Sequence, residues 1–210
     1  MRDPSFEPLA DGAFLSRRQL IGGVALLVSA SAVPAAPAPA RTAKALIAAA
    51  RRQIGVTTAY DPAYTRLAFP GGDVPRSKGV CTDVVIRAYR DAFGLDLQAL
   101  VHADMRANFA AYPRLWGLHT TDRSIDHRRV PNLAAFLARR HARLPIPDSP
   151  AGWRPGDIFT ARIDGRLPHI GIVSTGRPGT ILHNIGAGTR EEVALFDHSL
   201  TGRYRWALDG

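Results

Sequence analysis

The sequence predicts an α+β fold, with helices first and an antiparallel sheet after them. Three observations predict it. Between residues 41 and 140, apolar residues recur at helical spacing in separated blocks. After Pro150 the pattern changes to short β-branched and aromatic runs punctuated by Gly-rich turns. The chain's one cysteine, Cys81, falls where a Gly- and Pro-rich loop gives way to a helical block. Helices segregated from an antiparallel sheet in this way form a two-layer α+β arrangement.

The first segment is expected to stand outside that fold. Ser16-Arg17-Arg18-Gln19-Leu20-Ile21 is a twin-arginine pattern, and a modestly apolar stretch follows from Leu20 to Ala32. Ala38-Pro39-Ala40 has the small residues of a cleavage site. Residues 1–40 are therefore read as an export signal and 41–210 as one domain. The expected destination is the periplasm or cell envelope. No run of 18 or more apolar residues occurs, so stable membrane insertion after signal cleavage is not expected.

The helices come next. Leu46, Ile47, Ala50 and Ile54 share one face of a predicted helix from Arg41 to Ile54, with Gly55 beyond its end. Residues 56–80 carry Asp61-Pro62, Pro70-Gly71-Gly72-Asp73 and Val74-Pro75, which are turn signals, while Tyr60, Tyr64, Leu67 and Phe69 give this loop apolar anchors. Cys81 to Phe93 is the next helix, stopped by Gly94. Asp96 is placed to cap a third helix bearing Leu97, Leu100, Val101 and Phe109, which Pro113 ends. A polar connection over 113–130 leads to Pro131, in the first turn of a fourth helix, Asn132 to Arg140.

The strands follow as a meander. They are predicted at 157–163, 169–174 and 180–185, with shorter candidates at 192–196 and 203–208. Asp164-Gly165 marks a hairpin whose loop is expected to reach Pro168, and Gly176-Arg177-Pro178-Gly179 is the next turn.

Charge and cysteine usage narrow the function. The chain has 27 Lys and Arg against 18 Asp and Glu, a formal charge of +9. Such a surface favours anionic partners. The basic residues are mostly Arg, are spread along the chain and form no nucleic-acid motif, so no nucleic-acid partner is expected. An odd cysteine in an exported chain is an intermolecular bridge, an inert buried thiol or a reactive one. It excludes an intrachain disulfide and any multi-cysteine zinc site.

Cys81 at a helix start meets unpaired backbone N–H groups and the positive end of the helix dipole. The expectation is a thiol drawn toward thiolate, with N–H groups nearby to receive an oxyanion. A base is available in the strand half. His169 opens one strand, and His183 lies in the next, so a meander makes them neighbours. One ring can act as base and the other can hold it in the useful tautomer. Asn184 is an alternative orienting residue, although it should point to the face opposite His183. The opposing reading is that Cys81, His169 and His183 are packed core residues. A zinc set of His169, His183 and Asp83 or Asp157 lacks the spacing of metal-binding motifs, so neither metal nor cofactor is expected. Arg128 or Arg129 can bind a substrate carboxylate, or can belong to a local salt-bridge network. Tyr60, Asp73 and Asp83 are further candidates for lining a substrate site. His102, His119, His141 and His198 are read as surface or structural.

These residues carry a resemblance. Phe69-Pro70-Gly71-Gly72 ahead of Gly79-Val80-Cys81-Thr82-Asp83 resembles the nucleophile region of the NlpC-type, papain-like cell-wall cysteine peptidases. Trp153-Arg154-Pro155-Gly156-Asp157-Ile158 resembles their strand lead-in, Leu167-Pro168-His169-Ile170-Gly171-Ile172-Val173 their histidine strand, and Ile181-Leu182-His183-Asn184 the strand of their third residue. The resemblance implies a papain-like (NlpC-type) fold with the Cys helix packed on an antiparallel sheet, Cys81 as nucleophile, His169 as base and His183 as orienting residue. Two departures stand out. The peptidases usually carry Asp-Cys-Ser-Gly, whereas here the acid, Asp83, follows the cysteine, and the connection holding Trp116 and Asp126-His127-Arg128-Arg129 is long. Most of residues 45–207 also resembles a family of exported bacterial proteins known as a domain of unknown function. It does so through Tyr60-Asp61-Pro62, Gly71-Gly72-Asp73-Val74-Pro75, Ile125-Asp126-His127-Arg128-Arg129 and His183-Asn184-Ile185-Gly186.

The resemblance implies an exported cysteine amidase or endopeptidase acting on the peptide part of peptidoglycan or another cell-envelope substrate. The alternatives are an acyltransferase or lipid deacylase on the same residues, or a catalytically silent cell-wall-binding protein.

Overall fold

The computed structural model describes residues 40–209. The export-signal reading of residues 1–40 lies outside them except for Ala40. Within them, helix α1 spans Ala43–Arg51, shorter at both ends than expected. Its cap is Thr42, whose hydroxyl accepts the Ala45 N–H at 3.2 Å. Helix α2 runs Cys81–Phe93 and stops at Gly94, which takes the left-handed conformation at φ +66°. Helix α3 is Leu97–Ala107, capped by the Asp96 carboxylate on the Gln98 N–H at 3.1 Å. Phe109 falls in a separate 3-10 turn rather than in the helix. Helix α4 is Val130–Arg139, with Pro131 in its first turn, where a missing N–H costs no hydrogen bond.

Among the described residues the main sheet has six strands, in the order β3-β8-β4-β5-β6-β7. These are β3 (Arg143–Leu144), β4 (Ile158–Ile163), β5 (Leu167–Val173), β6 (Thr180–Asn184), β7 (Thr189–Val193) and β8 (Ser199–Tyr204). All their pairings are antiparallel. The meander expectation holds from β4 to β7. The chain then returns, and β8 pairs with the other edge of β4. The β4–β5 loop ends earlier than expected, because Leu167 and Pro168 already pair with Ile163 and Arg162. The last strands sit earlier in sequence than predicted, at 189–193 and 199–204. A small parallel pair, β1 (Ala59–Tyr60) with β2 (Lys78–Gly79), closes the long loop before α2.

The two faces of the sheet have separate cores. Ile158, Ile170, Ile172 and Leu182 pack with α1 and α2 residues such as Leu46, Val84 and Val85. Phe159, Ala161, Val173 and Ile181 form the other face, closed by Trp153 and Leu195. Alternation along each strand assigns the two sets. Each fully buried Ile or Leu contributes about 1.5–3 kcal/mol.

A buried arginine holds the long loop to α2. Arg87 is fully buried and donates to Asp73 at 2.9 Å, to the Thr57 hydroxyl at 3.0 Å, and to the carbonyls of Val74 and Lys78 at 3.1 and 3.0 Å. This fixes the loop from Thr57 to β2 and so sets the entry into α2.

Candidate active site

Cys81 is the first residue of α2 and is 4% exposed. Its approach is fixed from three directions. The Asp83 carboxylate accepts the Val80 N–H at 2.7 Å. Asn184 donates to the Gly79 carbonyl at 3.2 Å. A side chain at Gly79 would come within 2.9 Å of the Asp83 carboxylate and 3.1 Å of Arg87, so any larger residue here would have to displace that ion-pair frame.

The sheet opens where α2 begins. β6 pairs with β5 only at Ile172 and Val173, and Asn184 turns to Gly79 instead of continuing the ladder. The Ile170 N–H, one residue after His169, is within hydrogen-bonding reach of the Cys81 thiol. That N–H and those of Thr82 and Cys81 favour the thiolate, but burial outweighs them, and the Asp83 charge adds to it. The thiol is pushed up to about 11. The expected thiolate at the helix start is thus overturned: the dipole acts on the group, but desolvation is the larger effect.

The two histidines meet as expected. His169 Nε2 and His183 Nδ1 are 2.9 Å apart, and both rings are 1% exposed. They lie on the sheet face opposite the helices, where His169 packs on Phe159 at 5.9 Å between ring centroids, so the expected approach of a ring to the Cys81 thiol is not among the described contacts. A side chain at Gly171 would come within 2.6 Å of the Phe159 ring, so glycine here lets that ring lie on the sheet. His198 covers His169 edge-on at 6.2 Å.

A third group extends the chain. His183 Nε2 is 2.8 Å from Glu192 Oε1. A carboxylate only accepts, so His183 carries its proton on Nε2. Its Nδ1 then accepts from His169 Nε2–H, and the neutral His169 is left with a bare Nδ1 able to take a proton. Burial, with His183 and His198 nearby, pushes His169 down to about 3. Burial also lowers His183, against the pull of Glu192. At neutral pH the resting site therefore holds a neutral thiol and neutral rings.

The thiol lines a cleft of about 350 Å3 with Tyr60, Trp116, Arg128, Arg129 and Pro168. Tyr60 is pushed up to about 12, by burial first and then by the charges of Cys81 and Asp83. Arg128 lines the cleft but is engaged from behind. Its Nε and Nη2 donate to the two oxygens of Asp83 at 3.0 and 2.9 Å, with side chains 2% and 4% exposed. Thr82 ties the same residue to α2 through the Arg128 carbonyl at 3.0 Å.

The other predicted site residues lie elsewhere. Asp73 is bound by Arg87 and does not line the cleft. Asp83 is behind the wall, bound to Arg128. Asn184 is fully buried and holds Gly79, on the face opposite His183 as expected. Asp157 is bound by Arg203 and Arg205 at 2.7 and 3.1 Å, so neither Asp83 nor Asp157 joins the histidines. Asp126 accepts the Asp122 N–H at 2.6 Å rather than pairing with His127 or an arginine. The sequence reading missed Glu192, Arg87 and Gln98. Gln98 bridges the Gly72 N–H and the carbonyls of Ala68 and Arg123.

With this geometry in place, comparison with known proteins identifies the family. A family profile described as "Domain of unknown function (DUF1287)" matches residues 47–206, and the chain belongs to that family. The chain is 51% identical over 171 residues to "Uncharacterized protein YijF" of Escherichia coli strain K12, covering 80% of this chain and 83% of that protein. Among solved structures it is similar to NlpC1 from Trichomonas vaginalis, at 12% identity and a TM-score of 0.43. That match covers 81% of this chain and 46% of the other, so this chain spans about half the length of that protein.

Proposed function

We propose that this protein is an exported, papain-like cysteine hydrolase that cleaves an amide bond in the peptide part of peptidoglycan. The observation that carries this reading is the hydrogen-bonded run His169–His183–Glu192, which leaves one imidazole nitrogen free as a base. It lies on the face of β5 opposite the thiol, one residue from the Ile170 N–H that faces Cys81. The thiol itself opens on a cleft. The sequence likeness to NlpC-type peptidases at Cys81, His169 and His183 points the same way, and the net charge of +9 suits an anionic wall polymer.

In this reading, Cys81 Sγ attacks the substrate carbonyl and the thiol proton goes to His169 Nδ1, a transfer that requires the ring to leave its resting place against Phe159 on the far face of β5. The carbonyl oxygen takes up negative charge near the N–H groups at the start of α2. The imidazolium returns its proton to the departing amine, which leaves a thioester on Cys81. Water, deprotonated by the same ring, releases the acyl group as a carboxylate and restores the thiol. Because both groups are neutral at rest, proton transfer accompanies attack and does not precede it.

The test is a digest of purified peptidoglycan and soluble muropeptides with the full-length chain, read by mass spectrometry. Fragments are expected from the native chain. Cys81→Ala and His169→Ala should lower the rate by at least about a thousandfold. Equal digestion by native and Cys81→Ala would overturn the hydrolase. Binding to the wall without any product would move the reading to a silent wall-binding protein.

A further inference from the structure

Two adjacent arginines on the cleft wall differ in one respect. Arg128 has an acidic partner. Among the described residues, the Arg129 guanidinium makes no hydrogen bond or ion pair. It lies over Trp116, its Cζ 4.1 Å from the ring centroid. Nη1 of Arg129 and Nη1 of Arg128, both buried, have no partner among the described residues. The described residues lining the cleft include no Asp or Glu, and Asp83, two residues from Cys81, is already held by Arg128. Trp116 takes a left-handed backbone at φ +60°, a conformation a bulky aromatic adopts only where its surroundings impose it.

We infer that Arg129, held over the Trp116 ring, receives a carboxylate of the substrate beside the Cys81 thiol. This deepens the hydrolase reading and rests on it for the word substrate. The chemistry is specific. A guanidinium held over an indole leaves its N–H groups free to donate, which suits a planar carboxylate in two-point contact. The ring replaces lost hydration on one side only, so the N–H groups remain in need of an acceptor. Burial lowers Arg129 while Asp126 and Asp122 act from a distance to raise it, so an arriving anion meets a cation that is desolvated but not neutralised. The cleft would thus select acidic peptides, those with a free carboxylate near the acyl group attacked, over their amidated counterparts.

The single cysteine makes a direct test possible. Full-length chain is alkylated with iodoacetate, which carries a carboxylate, and with iodoacetamide, which is its neutral analogue. In each case Cys81 Sγ displaces iodide. The ratio of the two rates should exceed that of Arg129→Gln by about tenfold. Arg106→Gln, an equal charge change outside the cleft, should keep the native ratio. The same ratio in native and Arg129→Gln would overturn the carboxylate site. If neither reagent modifies native Cys81, the nucleophile of the hydrolase reading is lost, and the site is then judged by a second readout. Cys81→Ala chain is titrated with N-acetylglutamate and with N-acetylglutamine while tryptophan emission is followed. A saturable change with the acid alone, abolished by Arg129→Gln, supports the site without any catalysis. Equal responses to acid and amide would overturn it.

Discussion

The two faces of the sheet treat their polar groups differently. On the helix side, the groups around Cys81 hold one another in place. Asp83 holds Arg128 and the Val80 N–H, Asn184 holds Gly79, and Arg87 holds Asp73. On the other side, the buried rings of His169 and His183 run outward to Glu192, whose side chain is 38% exposed. The first arrangement is a rigid frame that positions a thiol. The second is a path from a buried base to the surface. The difference separates stability from the proposed chemistry: damage to the frame should unfold the protein, and, if the hydrolase reading holds, damage to the path should slow the reaction.

The frame gives the largest expected effect on stability. Removing one partner of a buried ion pair leaves the other charge uncompensated, at a cost of about 3–5 kcal/mol. Arg128→Ala should therefore lower the melting temperature by roughly 10 °C for a domain of this size. Replacing both partners, with Arg128→Met and Asp83→Asn, should recover much of that loss, since no charge is left buried. On the path, Glu192→Ala should change stability by less than about 1 kcal/mol, because the group is partly exposed and its ion pair partly screened. Thermal melts of the four chains decide this. Equal losses from Arg128→Ala and Glu192→Ala would remove the distinction.

Much of this contrast was legible in the sequence, and its limits have physical causes. Local pattern placed Cys81 at a helix start and put His169 and His183 on adjacent strands, because turn signals fix hairpin neighbours. The return of β8 to β4 was not legible, since alternation says which face a residue takes but not which strand lies beside it. Glu192 was missed for the same reason. With the strand predicted from residue 192 instead of 189, the register that sets it diagonally across from His183 could not be drawn. Arg87 and Gln98 look like surface residues in a helical pattern, and only the loop that covers them makes them clamps. The thiolate expectation failed because a helix end is visible in sequence but the depth of burial is not.

Acid should probe both faces at once. Burial holds His169 down to about 3 and His127 down to about 4, against about 6.5 in an unfolded chain. Between those values the unfolded chain binds more protons than the folded one, so stability rises with pH and is lost as pH falls below about 6.5. Asp126 opposes this. Burial raises it to about 6, so the folded chain takes up its proton first and is stabilised as pH falls from about 6 toward 4. The two histidines together outweigh the one carboxyl. A net loss of a few kcal/mol is expected between pH 7 and pH 4.5. His127→Phe should flatten the dependence and Asp126→Asn should steepen it. A melting temperature that stays level across this range in the native chain would contradict the burial of both rings.

The smallest effect is the most discriminating. Glu192 touches no substrate in this reading and acts as a positioning residue through His183. Glutamine at that position can donate as well as accept. If its amide donates to His183 Nε2, the proton of that ring moves to Nδ1 and must be accepted by His169 Nε2. His169 then carries its own proton on Nδ1, the nitrogen needed as base, and the site holds the wrong tautomer. Glu192→Ala leaves room for water, which can accept from His183 and keep the tautomer. Glu192→Gln should therefore be the slower enzyme, by about tenfold relative to Glu192→Ala, although it is the more conservative in shape. A purely structural role for Glu192 orders the two variants the other way. Nitrogen-15 spectra of the histidine rings read the same point without a substrate. His169 Nδ1 should give the signal of a bare nitrogen in the native chain and in Glu192→Ala, and of a protonated one in Glu192→Gln. A protonated Nδ1 in the native chain would mean that the run from Glu192 to His169 orients the ring for packing alone.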